Sequence, residues 1–248
     1  VKVLATYNIK GGVGKTATAV NLAHVAATQG NRVLVWDLDP QAAATFYFRV
    51  KPKVKGGGRG LIRGSHTLID AIKGTDFDNL DLVPADFSYR HLDLFIDDAN
   101  KPLARIRRAL REVVEDYDYV FLDCSPSISL TSESVFRAAD ALLVPTIPTT
   151  LSLRTYEQLD RFVDDHPGMV RDLKILGFFS IVDRHKRMQR RFMTDLRGLH
   201  PDLLESMIPN SSDIERMGVH RQPIGAYGRG SRPARAYEAL WAEILTRL

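Results

Sequence analysis

Residues 10 to 16 read Lys10-Gly11-Gly12-Val13-Gly14-Lys15-Thr16. A glycine-rich turn between a strand and a helix aims successive backbone N–H groups at a phosphate. In such a turn Lys15 supplies a point charge for the outer phosphates, and the Thr16 hydroxyl stands where Mg²⁺ needs a ligand. Two further carboxylate groups follow apolar runs. Asp37-Leu38-Asp39-Pro40-Gln41 comes after Arg32–Trp36, and Pro40 stops the strand. Near a phosphate loop, paired carboxylates hold a metal's water shell or orient an attacking water. Tyr119-Val120-Phe121-Leu122 closes on Asp123, an apolar strand ending in acid, and Asp123 is the expected Mg²⁺ residue, acting through water.

The elements that must position these residues alternate along the chain. The pattern predicts strands over 2–7, 32–36, 80–84, 119–122, 141–144, 175–181 and 203–207. It predicts helices over 15–28, 67–73, 103–115, 131–138, 153–164, 187–196 and 232–245. Strands this apolar, alternating with helices, imply an α/β class: one domain over residues 1–248, a mostly parallel twisted sheet covered by helices on both faces. Ligands then sit at the carboxyl ends of the strands, so the loop, Asp37, Asp39 and Asp123 should meet on one rim. The stretch 51–64, with Pro52, Gly56, Gly57, Gly58 and Gly60, reads as a flexible surface loop.

The usual phosphate-loop pattern needs glycine at position 9, where this chain has Ile9. The run is instead K-G-G-x-G-K-T, with a second lysine, Lys10, at the mouth of the loop. This deviant Walker A motif resembles that of the ParA/MinD family of ATPases, closest to the ParA-type partition and positioning members. The resemblance implies a P-loop NTPase fold with ATP and Mg²⁺ as cofactors, and an ATP-dependent homodimer in which Lys10 reaches the partner's nucleotide. It assigns catalysis to Lys10, Lys15 and Asp39, with Asp39 orienting water. Asp37 becomes a group that acts on the metal through its waters or positions the loop. The nucleotide set it implies is Gly11, Gly12, Val13, Gly14, Lys15, Thr16 and Ala17, with Pro209 and Asn210 on the adenine side and Thr16 and Asp123 for the metal.

Some positions depart from the family pattern. Ala17 stands where a second threonine is common, and Cys124-Ser125-Pro126 where Cys-Pro-Pro is common. The strand end Phe179-Ser180-Ile181-Val182-Asp183 lacks the asparagine that often reads adenine. Similarity also covers Ala138–Pro145, Leu151–Arg154 and Ala236–Leu240, and is weakest over 51–64.

Net charge is +4, on 44% hydrophobic and 26% charged residues, ordinary for a globular chain. The charge is uneven: 184–191 holds five Lys/Arg and no acid, and 216–237 holds five arginines and no acid. Arg184, Lys186, Arg187, Arg190, Arg191, Arg216 and Arg221 are the candidate DNA contacts, for salt-sensitive binding without base readout. The resemblance adds nucleoid DNA as the track and a ParB-like or other adaptor that stimulates slow hydrolysis. No DNA-binding module precedes the loop within this sequence.

A lone cysteine, Cys124, forms no internal disulfide and cannot hold an iron–sulfur cluster. With no signal-like start and no apolar run near membrane length, the expectation is a cytoplasmic, nucleoid-associated protein. Two alternatives stand beside it. One is a MinD-like membrane-associated ATPase, although the last helix has two glutamates and no lysine and reads as core-docked. The other is a P-loop ligase or kinase of the dethiobiotin-synthetase type, which needs a small-substrate pocket beside the γ-phosphate.

Overall fold

The computed structural model describes residues 1–166 and 172–248. Among them, eight strands form one sheet: β1 (Lys2–Thr6), β2 (Val33–Asp37), β3 (Lys73–Gly74), β4 (Leu80–Val83), β5 (Tyr119–Asp123), β6 (Ala141–Thr146), β7 (Lys174–Val182) and β8 (Met207–Pro209). Their order across the sheet is β3-β4-β2-β5-β1-β6-β7-β8. Every pairing is parallel except β3 with β4. A parallel sheet needs crossovers that cover its faces, and both faces here are covered.

Alternation along the strands sorts side chains into two cores. Val3, Ala5, Trp36, Val120 and Leu122 face the helices Arg105–Leu110, Leu130–Ala138, Thr150–Asp165 and Arg187–Leu199. Leu4, Val35, Phe121 and Phe178 face Lys15–Thr28 and Arg232–Arg247. The chain leaves β1 toward β2 on one side, while β6 lies on the other. The carboxyl end of β1 is therefore at the point where the winding reverses.

The final helix is docked in the core. Tyr237, Leu240, Trp241 and Ile244 are buried, and Trp241 Nε1 donates to Gln29 Oε1 at 3.0 Å. Its apolar face packs against the sheet, where Trp241 meets Tyr119 edge-on with ring centroids 4.9 Å apart. No helix among the described residues is long and apolar enough to cross a membrane.

Several elements differ from expectation. Within 51–64, where glycines read as loop, residues Gly57–Arg63 form a helix whose Leu61 and Ile62 are buried. Gly58 serves close packing there: a Cβ would stand 2.9 Å from Tyr89 Cδ1. The expected helix over 103–115 is a 3₁₀ turn, Pro102–Ala104, then Arg105–Leu110. Past Leu110 the backbone bonds tighten to i→i−3, and Val113 turns into the core. The last strand lies at Met207–Pro209, while Leu203 and Leu204 are core anchors. The helix expected over 67–73 stops at Ala71, and Lys73 pairs in β3.

Candidate functional site

The rim is built by register. Asp37 on β2 pairs directly with Asp123 on β5, and Asp123 with Thr6 on β1, so three strand ends stand in one row. The phosphate loop follows β1 and leads into the helix Lys15–Thr28. Gly12 and Gly14 sit at φ +73° and +94°, a left-handed conformation that costs a side-chain residue free energy. Gly14 caps that helix, and a Cβ on Gly11, Gly12 or Gly14 would meet nothing within 4 Å. The loop thus faces open space with its N–H groups at a helix N-terminus. Val13 is buried, and its carbonyl accepts from Ser180 Oγ at 2.7 Å, tying the loop to β7.

Lys15 is buried, and its Nζ donates to the Lys10 carbonyl at 3.1 Å. Burial pulls its pKa below the ordinary lysine value, while Asp123 and Asp39 oppose the shift. Lys10 extends the other way: its Nζ donates to Ser152 Oγ at 3.3 Å. Asp37 is fully buried. Its Oδ2 accepts from Thr45 N (2.8 Å) and Thr45 Oγ1 (2.7 Å), and its Oδ1 from Asp39 N (3.2 Å). Asp37 therefore positions the loop carrying Asp39. Burial pushes its pKa up to about 6, against the Thr45 hydrogen bonds. Asp39 is half-buried, and its Oδ1 accepts from Gln41 N at 2.9 Å.

Asp123 is the most constrained acid. Its Oδ1 accepts from Thr6 Oγ1 at 3.2 Å, and its enclosed Oδ2 has no hydrogen-bond partner among the described residues. Burial, then the charge of Asp37, raises its pKa well above the usual carboxylate value; the nearby Thr16 and Thr6 hydroxyls act against this. A buried unpartnered carboxylate oxygen beside a threonine hydroxyl suits a hard cation such as Mg²⁺. Cys124 is buried, and burial pushes its thiol far up, so it is inert packing.

The loop opens into a cavity of about 420 Å³. Gly11, Gly12, Gly14, Lys15, Thr16, Ala17 and Asp39 line one end, and Pro209 and Asn210 line the other. Tyr47 and Ile214, which sequence reasoning missed, complete the wall with Ser180 and Ile181 of the strand end that lacks the adenine-reading asparagine. Ile181 stands at φ +54°, unusual for a β-branched residue, beside the irregularity where β7 pairs with β8. No pattern in the chain signals Tyr47 or Ile214, because the wall is assembled from separate segments.

The candidate DNA residues divide. Arg184, Arg187 and Arg190 are exposed and without an ion-pair partner among the described residues. Lys186 and Arg191 lie 3.9 Å from Asp183 and Asp195, and Arg216 lies 3.5 Å from Asp213. Arg221 also lacks an ion-pair partner among the described residues, but its side chain is held in place. Its Nε donates to the Phe46 carbonyl at 3.2 Å, and its guanidinium stacks 4.5 Å from the Phe46 ring centroid. Arg184 lines, with Glu205, Arg232 and Arg235, a cavity of about 390 Å³ that Pro209 also borders.

A family model described as an AAA domain matches residues 1–172. Sporulation initiation inhibitor protein Soj of Bacillus subtilis is 31% identical over 249 residues, covering 98% of both chains. Chromosome partitioning protein ParA of Caulobacter vibrioides is 28% identical over 253 residues, covering all of this chain and 95% of its own. Among solved structures, cobyrinic acid a,c-diamide synthase from Mycobacterium smegmatis, with bound ATP analog and magnesium, superposes with TM-score 0.84 at 26% identity. The match covers all of this chain and 95% of that one.

Proposed function

This chain belongs to the ParA/Soj/MinD family of P-loop ATPases, and on that premise we propose that it is a partitioning ATPase whose nucleotide state controls its grip on DNA. The observation that carries the nucleotide half is the buried, unpartnered Oδ2 of Asp123 at the foot of an open glycine cradle.

Backbone N–H groups of 11–16 donate to the phosphates, and Lys15 turns from the Lys10 carbonyl to the outer ones. Thr16 and Asp123 would hold Mg²⁺, which when bound supplies charge neutralisation for the transferring phosphoryl group. Asp39, fixed through Gln41 and through the Asp37-held backbone, orients the attacking water. Lys10 leaves Ser152 and reaches the nucleotide of a second copy, so two subunits close over two triphosphates.

Closure doubles the number of DNA phosphates that one rigid body can neutralise. Because the salt exponent scales with that number, affinity for nonspecific duplex rises steeply on dimerisation. Hydrolysis, stimulated by an adaptor on the cargo, removes the group both Lys10 residues read and releases the dimer. The test is duplex binding with ADP and with ATP across a salt series: equal affinity in both states overturns the switch. Lys10→Ala retains nucleotide binding but loses the ATP-dependent dimer in gel filtration, and an intact dimer refutes the trans role.

One observation favours a second reading. The likeness to an amide-forming synthase, with a cavity bordered by Pro209 and lined by three arginines and Glu205, fits an ATP-dependent ligase for a carboxylate substrate. A turnover screen with small carboxylates and an amine donor discriminates: product-coupled ATP consumption would replace the partitioning reading.

A further inference from the structure

The segment 101–111 carries Lys101, Arg105, Arg107, Arg108 and Arg111 and no acid, and lies outside the two basic stretches already described. These five cations, with Asn100 and Ala104, line a cavity of about 530 Å³. None has an ion-pair partner among the described residues. Of the nearby acids, Asp98 pairs with Arg63 and Glu112 Oε2 accepts from the Leu68 N–H at 2.6 Å, while the exposed Asp97 and Glu115 pair with none of the five among the described residues. Arg105 bonds the Ile62 carbonyl at 3.4 Å through Nη1, while its buried Nε has no partner. Like charges gathered without counter-charges repel one another, which is the signature of a surface completed by an anion.

We propose that this patch is a second contact for the phosphate backbone of duplex DNA, separate from the Arg184–Arg235 edge; the proposal rests on the DNA-binding reading above. Guanidinium forks match phosphate oxygens bidentately. A protein partner takes hold through apolar anchors. Here the exposed positions are Arg107, Arg108 and Arg111, while Ile106, Ala109 and Leu110 are buried in the chain's own core. The patch belongs to the β4–β5 crossover and the other edge to β7–β8, at least three strand positions apart, or roughly 14 Å at the usual spacing. The helix Thr150–Asp165, in the β6–β7 crossover between them, carries Glu157, Asp160, Asp164 and Asp165 against Arg154 and Arg161, so a net acidic element separates the two basic surfaces. One subunit then holds DNA at two distinct places.

The experiment is nonspecific duplex binding to the full chain with MgATP, across a salt series, for wild type and the triple variant R107A/R108A/R111A. Arg105 is left intact, because it bonds Ile62. A charge-matched control, K2A/K73A/R247A, removes exposed cations elsewhere. The expected result is a log–log salt slope shallower by about 0.9 for each phosphate that is no longer neutralised. Basal ATPase rate stays unchanged and the melting temperature does not fall, since the change relieves repulsion, and the control keeps the wild-type slope. An unchanged slope in the triple variant, with wild type bound, overturns this proposal alone. An equal flattening in the control also overturns it, since net charge would then suffice. Wild type that does not bind duplex overturns both readings.

Discussion

The rim at the centre of the sheet and the basic edge beyond β7 are built by different means. At the rim, Asp37, Asp123 and Thr6 are neighbours because three strands pair in register, and burial leaves each side chain little choice. At the edge, Arg184, Arg187 and Arg190 project from a loop and one exposed helix face without an ion-pair partner among the described residues, while their neighbours Lys186 and Arg191 lie near Asp183 and Asp195. The rim stores electrostatic strain: two buried aspartates with raised pKa values face each other, and one carboxylate oxygen is orphaned. The edge stores none, since its charges are solvated. Ligand binding at the rim relieves a cost already present in the folded chain, whereas binding at the edge exchanges counterions.

The comparison breaks most sharply at Asp123. Asp123→Asn removes a buried acid that burial and Asp37 disfavour, so the ligand-free protein melts at a higher temperature. The same change removes the proposed metal residue, and hydrolysis falls on the order of a hundredfold or more. A variant that is less stable, or still active, would refute the strained-rim account.

The next effect is on pH dependence. Asp37 has a folded pKa near 6 against an unfolded value of 3.8, so its contribution to stability is complete below the unfolded value and is lost as pH rises through about 6. The loss is up to about 3 kcal/mol. Urea unfolding of the ligand-free protein at mildly acidic and at neutral pH should show this decline in wild type relative to Asp37→Asn. Parallel profiles would remove Asp37 as its source.

At the edge, replacing Arg184, Arg232 and Arg235 together by alanine should weaken duplex binding on the order of tenfold at about 0.1 M salt and flatten the salt slope. Basal hydrolysis should be unaltered; a fall in hydrolysis would instead support the ligase reading. The smallest effect is at Arg221. Its alanine variant gives up the hydrogen bond and the stacking on Phe46, at about 1 kcal/mol of stability, and leaves the salt slope alone. A flattened slope there would make Arg221 a DNA-binding residue after all.

How much of this was legible follows from chain locality. The helix Lys15–Thr28 has its expected boundaries because a glycine cap and a run of strong helix formers are both local signals. Six of the seven strands anticipated from sequence appear within one or two residues of their expected ends, since buried parallel strands are short continuous apolar runs. The stretch 51–64 misleads because glycine serves two ends. Gly58 is small so that Tyr89 and Leu92 can approach, which in sequence is indistinguishable from a flexible turn. Arg221 shows the same limit: an arginine in an acid-free run gives no sign that a distant carbonyl and ring, 175 residues earlier, hold its side chain.

By itself, the sequence determined the phosphate loop, the two aspartate-ended strands and the α/β class, because each is written in contiguous residues whose backbone conformation is set by their neighbours. Only the tertiary structure decided that Asp37 serves the loop through Thr45, and that Asp123 keeps an oxygen unpartnered. It alone assembled Tyr47, Ser180, Ile181 and Ile214 into one wall. Those facts depend on which remote side chains burial and hydrogen bonding bring together, and the pairing of distant partners is not encoded at any single position of the chain.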